Sequence, residues 1–143
     1  MKKDDIIGGA LLLAAILGLG AFFLFAQNAL QLSYGPVEIA GSTIAASASG
    51  DGEAEVIATL IKPGFVTIHQ SIGGAPGPII GSSGYIEAGT DVAMTLILSE
   101  LMESGTTYTA LLHVDDGDER FVTTDDMPVT SGGVSVRADF IGP

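Results

Sequence analysis

The sequence predicts an all-β domain, an Ig-like Greek-key sandwich of about seven strands, carried behind one N-terminal transmembrane α-helix. Three observations lead there. Ile6–Ala26 is a run without a charge. After it, short segments of alternating apolar and polar residues recur between turns rich in Gly, Pro and Asp, the pattern of strands rather than of helices. Leu101, followed by Thr106-Thr107-Tyr108, has the form of a tyrosine corner, in which a Tyr near the start of a strand bonds back to the connection before it.

The apolar run follows Met1-Lys2-Lys3-Asp4-Asp5. As a helix rising ~1.5 Å per residue it matches the roughly 30 Å hydrocarbon core of a bilayer. The chain then divides into a cytoplasmic N-terminus (1–5), a transmembrane helix (6–27), a linker (28–36) and an extracytoplasmic sandwich (37–143). Orientation follows from the bases: Lys2 and Lys3 precede the helix and the next is Lys62, so the N-terminus is expected inside and the domain outside. The run ends in Phe25-Ala26-Gln27, which lacks the small-x-small cleavage pattern of a signal peptide, and an uncleaved anchor is the favoured reading. A pilin-like leader, cut near Lys3–Ile6 so that the helix packs in a filament, is an alternative against which Asp4 and Asp5 stand. Ala10, Ala14 and Gly18 share one helix face. Small residues let another backbone approach closely, so this face is expected to dock on a membrane partner.

The balance of 17 acids against 5 bases, a net charge of −12, argues against nucleic acid or anionic headgroups as partners and favours cations or basic surfaces. With no Cys the domain has neither disulfide staples nor a thiolate metal site. Its single Asn, Asn28, precedes Ala29-Leu30, so the chain offers no N-x-[ST] glycosylation acceptor.

Tyr34 suits the headgroup level of a membrane, and Pro36 stops the anchor helix. Val37–Ala40 alternates as a first strand, which Ser42–Ser47 extends. Glu55–Ile61 and Gly64–His69 are strands joined at Lys62-Pro63-Gly64. The second has Val66 and Ile68 on one face and Phe65, Thr67 and His69 on the other, as a central strand of a covered sheet would. The glycines and prolines of Ser71–Tyr85 exclude a helix and a regular central strand, and the stretch reads as a long connection. Asp91–Ser99 places Val92, Met94, Leu96 and Leu98 on one face. Tyr108, Ala110, Leu112 and Val114 do the same in the next strand, leaving His113 opposite. Asp115–Glu119 turns tightly into a strand at Arg120–Thr123, and Val134–Ile141 closes the sheet with Val134, Val136, Ala138 and Phe140 facing one way.

Candidate chemistry is sparse. His69 and His113 each end a predicted strand, and His113 is followed by Asp115, Asp116 and Asp118. Imidazole with carboxylates suits Zn²⁺ or Cu²⁺, and the acidic loop alone suits Ca²⁺. The loop departs from the EF-hand spacing, so a solvated hairpin turn competes with a metal site. No G-x-S-x-G elbow or other nucleophile arrangement occurs, and no enzyme is expected. No cofactor is implied beyond that possible metal ion.

The run IHQSIGGAPGPIIGSSGYIEAGT, then an alternating strand, then YTALLHVDDGDERF and an acidic-Met-Pro-Val stretch, resembles a family of uncharacterised Ig-like domains. They occur in secreted or membrane-anchored surface proteins of archaea, notably haloarchaea, and of some bacteria. The resemblance runs from about Val56 to Phe140 and is most specific at His69, Gly73–Gly81 and His113–Gly117. This chain has Gln70 where the family pattern commonly has Asp after the first His. The resemblance implies a β-sandwich displayed outside the cell and implies no reaction. The expected function is that of a membrane-anchored surface module, structural or interacting, as an accessory subunit of a membrane or envelope complex with protein partners. A metal-binding extracytoplasmic domain is the alternative, and a filament subunit the next.

Overall fold

The structure, a computed structural model, describes residues 35–143. The transmembrane helix expected at 6–27, the Ala10–Ala14–Gly18 face expected on it, the expected cytoplasmic end and most of the expected linker lie outside the described residues. Among those residues no helix is long and apolar enough to cross a membrane.

The strands are β1 (Val37–Glu38), β2 (Thr43–Gly50), β3 (Glu53–Leu60), β4 (Gly64–Ile72) and β5 (Ala75–Ser82), then β6 (Gly89–Ile97), β7 (Thr107–Val114), β8 (Val129–Ser131), β9 (Val134–Ser135) and β10 (Arg137–Ile141). A three-stranded sheet β2-β3-β6 and a four-stranded sheet β10-β7-β4-β5 enclose the core, and β1-β8-β9 form a small third sheet. The fold is an all-β, sandwich-like one.

Alternation places one face of each strand in a shared core. Ala54, Val56, Ala58 and Leu60 of β3 meet Val66 and Ile68 of β4 and Tyr108, Ala110 and Leu112 of β7. At about 25 cal/mol per Å² of apolar surface removed from water, this burial is the main force joining the sheets. The Tyr108 hydroxyl accepts the Glu103 N–H at 2.8 Å, so the expected return bond from Tyr108 to the preceding connection is made. That bond fixes how the chain enters β7.

Four expectations change. The first strand does not continue into Ser42–Ser47: Gly41 takes φ +87° and turns the chain out of β1, which pairs in parallel with β8, into β2 of another sheet. The stretch Ser71–Tyr85 is not a free connection, because Ala75–Ser82 pairs with β4. It is an edge strand with neighbours on one side only, where a proline's missing N–H costs no ladder bond. Its Gly77 is required by contact, since a Cβ there would meet the Gln70 carbonyl oxygen at 2.6 Å. Arg120–Thr123 forms no strand. Val134–Ile141 is broken at Val136, whose N–H bonds Val129 while its carbonyl accepts from Leu112. It therefore serves two sheets, and Val134 is exposed.

β4 lies between β7 and β5 and is buried on both faces from Gly64 to His69. Its reverse face, away from the core, is covered by the excursion between β7 and β8. Phe121 of that excursion packs on Phe65 and on the His113 ring, with ring centroids 5.4 and 5.2 Å apart.

Candidate functional site

The reverse face of β4 and β7 gathers the polar groups. Residues Phe65, Thr67 and His69 alternate along β4, and antiparallel pairing sets Phe65 opposite His113 and Thr67 opposite Leu111. Thr67 thus stands diagonally between the two histidines. His69, His113, Thr67 and Thr109 are all buried.

Each imidazole is oriented by a backbone carbonyl. His69 Nδ1 donates to Gly77 O at 2.7 Å and His113 Nδ1 to Asp126 O at 2.9 Å. A carbonyl has no proton to give, so both rings carry hydrogen on Nδ1. Both Nε2 atoms then turn to one hydroxyl: Thr67 Oγ1 lies 2.7 Å from His69 Nε2 and 3.1 Å from His113 Nε2. The ring planes differ by 18°, with centroids 6.5 Å apart. Burial pushes His113 below the ordinary histidine range, with the Asp126 carbonyl opposing and neighbouring His69 adding to the effect.

The acidic residues form a separate cluster. Asp115, Asp116 and Asp118 are joined by buried Asp126, with one carboxylate oxygen from each within 4.8 Å of the others. Most of this is explained by the turn itself. Asp126 accepts the N–H groups of Asp116 (3.0 Å) and Val122 (2.6 Å). Asp115, Asp116 and Asp118 accept those of Glu119, Asp118 and Arg120. The bond from the Asp118 N–H pulls Asp116 down. Partial desolvation and the charges of Asp118 and Asp126 outweigh it and leave Asp116 above the ordinary carboxylate value.

The five residues singled out in the sequence therefore fall into two groups. His69 and His113 meet across Thr67, whereas Asp115, Asp116 and Asp118 meet around Asp126. Among the described residues, the grouping of three or more His, Asp or Glu close enough to share one ion contains the four aspartates and neither histidine. Sequence reading missed Thr67 and Asp126. Thr67 was visible as the residue sharing a strand face with His69. Asp126 carried no signal of its own, being one acid in a run of them. Gln70, where the family pattern has Asp, alternates onto the core side of β4 opposite Tyr108, so it stands away from the shared hydroxyl.

Fold and site together define a small β-sandwich domain with a buried polar reverse face. The chain belongs to the family described as "Domain of unknown function (DUF7282)", whose model matches residues 42–140. Relatives include Cell surface glycoprotein 2 of Haloarcula hispanica, 36% identical over 105 residues. Cell surface glycoprotein 1 of the same organism is 34% identical over 105 residues. Each match covers 70% of this chain and 11% of the relative, so the chain spans about a tenth of the length of these surface proteins. No solved structure matches it. The uncharacterised haloarchaeal surface-domain family expected from the sequence is the family found.

Proposed function

We propose that this chain is a cell-surface module, an Ig-like Greek-key sandwich held at the membrane by residues 6–27. In this reading the N-terminus is inside and the domain outside, and the module works through structure and protein contacts rather than catalysis, as an accessory subunit of a membrane or envelope assembly. The observation that carries it is the match of nearly the whole domain to a short segment of much longer cell surface glycoproteins. A module that recurs inside large surface proteins is readily displayed alone from its own anchor. The strand order of the two facing sheets and the Tyr108 return bond support the Ig-like assignment. The charge of −12 suits a soluble face and disfavours nucleic acid.

The lysines provide the test. Lys62 is exposed on the described domain, while Lys2 and Lys3 belong to the end placed inside. A membrane-impermeant amine reagent applied to intact cells should modify Lys62, and Lys2 and Lys3 only after lysis. Protection of Lys62 in intact cells would contradict the topology. Extraction in mild detergent should bring a partner protein with the chain, and recovery of a bare monomer would count against the subunit role.

A further inference from the structure

We propose that His69 and His113 form a two-coordinate site for a soft monovalent metal ion, copper(I) by chemistry, with the Thr67 hydroxyl bridging the two nitrogens until the ion replaces it. Both Nδ1 atoms are committed as donors to the carbonyls of Gly77 and Asp126. In a neutral ring so fixed, Nε2 is an acceptor only. Two such acceptors face Thr67 Oγ1, and a hydroxyl has one proton. It satisfies one lone pair and leaves the other, in a buried place, without a donor. An unmatched buried acceptor costs about 1–3 kcal/mol. The arrangement is complete only when one positive charge joins the two nitrogens.

A metal ion supplies that charge in the place of a proton. Ligating histidines characteristically give their other ring N–H to a carbonyl or carboxylate, which fixes the tautomer and aims the lone pair. Here both rings are held that way, by carbonyls from two different segments. Metal–nitrogen bonds of about 2 Å require two nitrogens roughly 4 Å apart. These nitrogens share one oxygen at 2.7 and 3.1 Å, which keeps them in reach of one another, and the ion enters as the Thr67 hydroxyl turns aside and the rings adjust to that separation. The number of donors selects its kind. Zn²⁺ takes four ligands in structural sites and Ca²⁺ six to eight oxygens. Neither set exists around the histidines, because among the described residues the nearby acids cluster with one another around Asp126 and bond their own turn. A d¹⁰ monovalent ion is content with two nitrogen donors in line. The net charge of −12 raises the local concentration of any cation at the surface.

Silver(I) is a redox-inert stand-in for copper(I), and the full chain in detergent and chloride-free nitrate buffer is the sample. Nitrogen-15 NMR of the histidine rings is followed as silver nitrate is added. The proposal expects one equivalent to shift Nε2 of both rings while both Nδ1 protons remain. H69Q and H113Q each remove one of two ligands and should weaken silver binding by more than the roughly 100-fold that loss of an outer-shell partner costs, and T67A, which clears the hydroxyl, should leave it as tight or tighter. Zinc or calcium in the same titration should leave the ring signals in place. Because methionine sulfur also takes silver, a stoichiometric silver site that leaves both Nε2 signals unmoved would overturn the proposal. So would zinc shifting both rings more tightly than silver, or a wild-type spectrum that stays constant. Should H69Q or H113Q fail to fold, the wild-type ring shifts decide alone.

Discussion

Strands β4 and β7 show the same burial on two faces and use it in opposite ways. The face toward β2-β3-β6 holds Val66, Ile68, Ala110 and Leu112, and the hydroxyl of buried Tyr108 there is matched by the Glu103 N–H. The reverse face, under the Phe121 excursion, holds Thr67, His69, Thr109 and His113. Apolar side chains need only contact, whereas each buried polar atom needs a partner of correct sense. Thr109 finds Asp139 at 2.7 Å, and each Nδ1 finds a carbonyl, but the two Nε2 atoms share one hydroxyl. Stability resides on the first face and unfinished hydrogen bonding on the second.

Substitutions separate the two. Leu112→Ala, on the core face, removes contacts on both sheets and should cost about 2–5 kcal/mol, read as a fall in thermal or denaturant midpoint. Thr67→Val keeps the volume on the reverse face and removes the shared hydroxyl. It should cost about 1–3 kcal/mol and change the His69 and His113 ring signals together. A neutral result there would mean that the lone pairs find other partners and would blur the contrast. Tyr108→Phe removes one hydrogen bond and leaves the apolar burial, so about 1 kcal/mol is expected.

The smallest expected effect is outside both faces. Glu38 accepts the Thr130 hydroxyl and the N–H groups of Gly132 and Gly133. The Thr130 bond first, then the two glycine bonds, holds its carboxyl below the ordinary value of 4.5. A depressed carboxylate stabilises the fold above its unfolded value and loses that contribution as pH falls through the lower folded one. Glu38→Gln should therefore lower the unfolding midpoint slightly at neutral pH, and the difference from wild type should vanish in acid well below pH 4.5.

What was legible in the chain follows from the range of the forces involved. The alternation Val92–Leu98 and Tyr108–Val114 is local, and both stretches fold as read. The Tyr108 corner spans only five residues to Glu103 and was equally visible. Ala75–Ser82 was hidden because its prolines and glycines obey the rules of an edge, and only tertiary placement tells an edge from a loop. The split at Val136 depends on two sheets competing for one backbone. The candidate site was half visible. Both histidines stood out by type, but Thr67 joins His113 across a separation of 46 residues through a diagonal of the β4–β7 register, which no spacing along the chain encodes.

The histidine tautomers test most directly whether the reverse face holds two lone pairs aimed at one hydroxyl. Nitrogen-15 NMR at neutral pH, before any metal is added, should show Nδ1 protonated in both His69 and His113. A neutral ring carrying its proton on Nε2, at either position, would contradict the account.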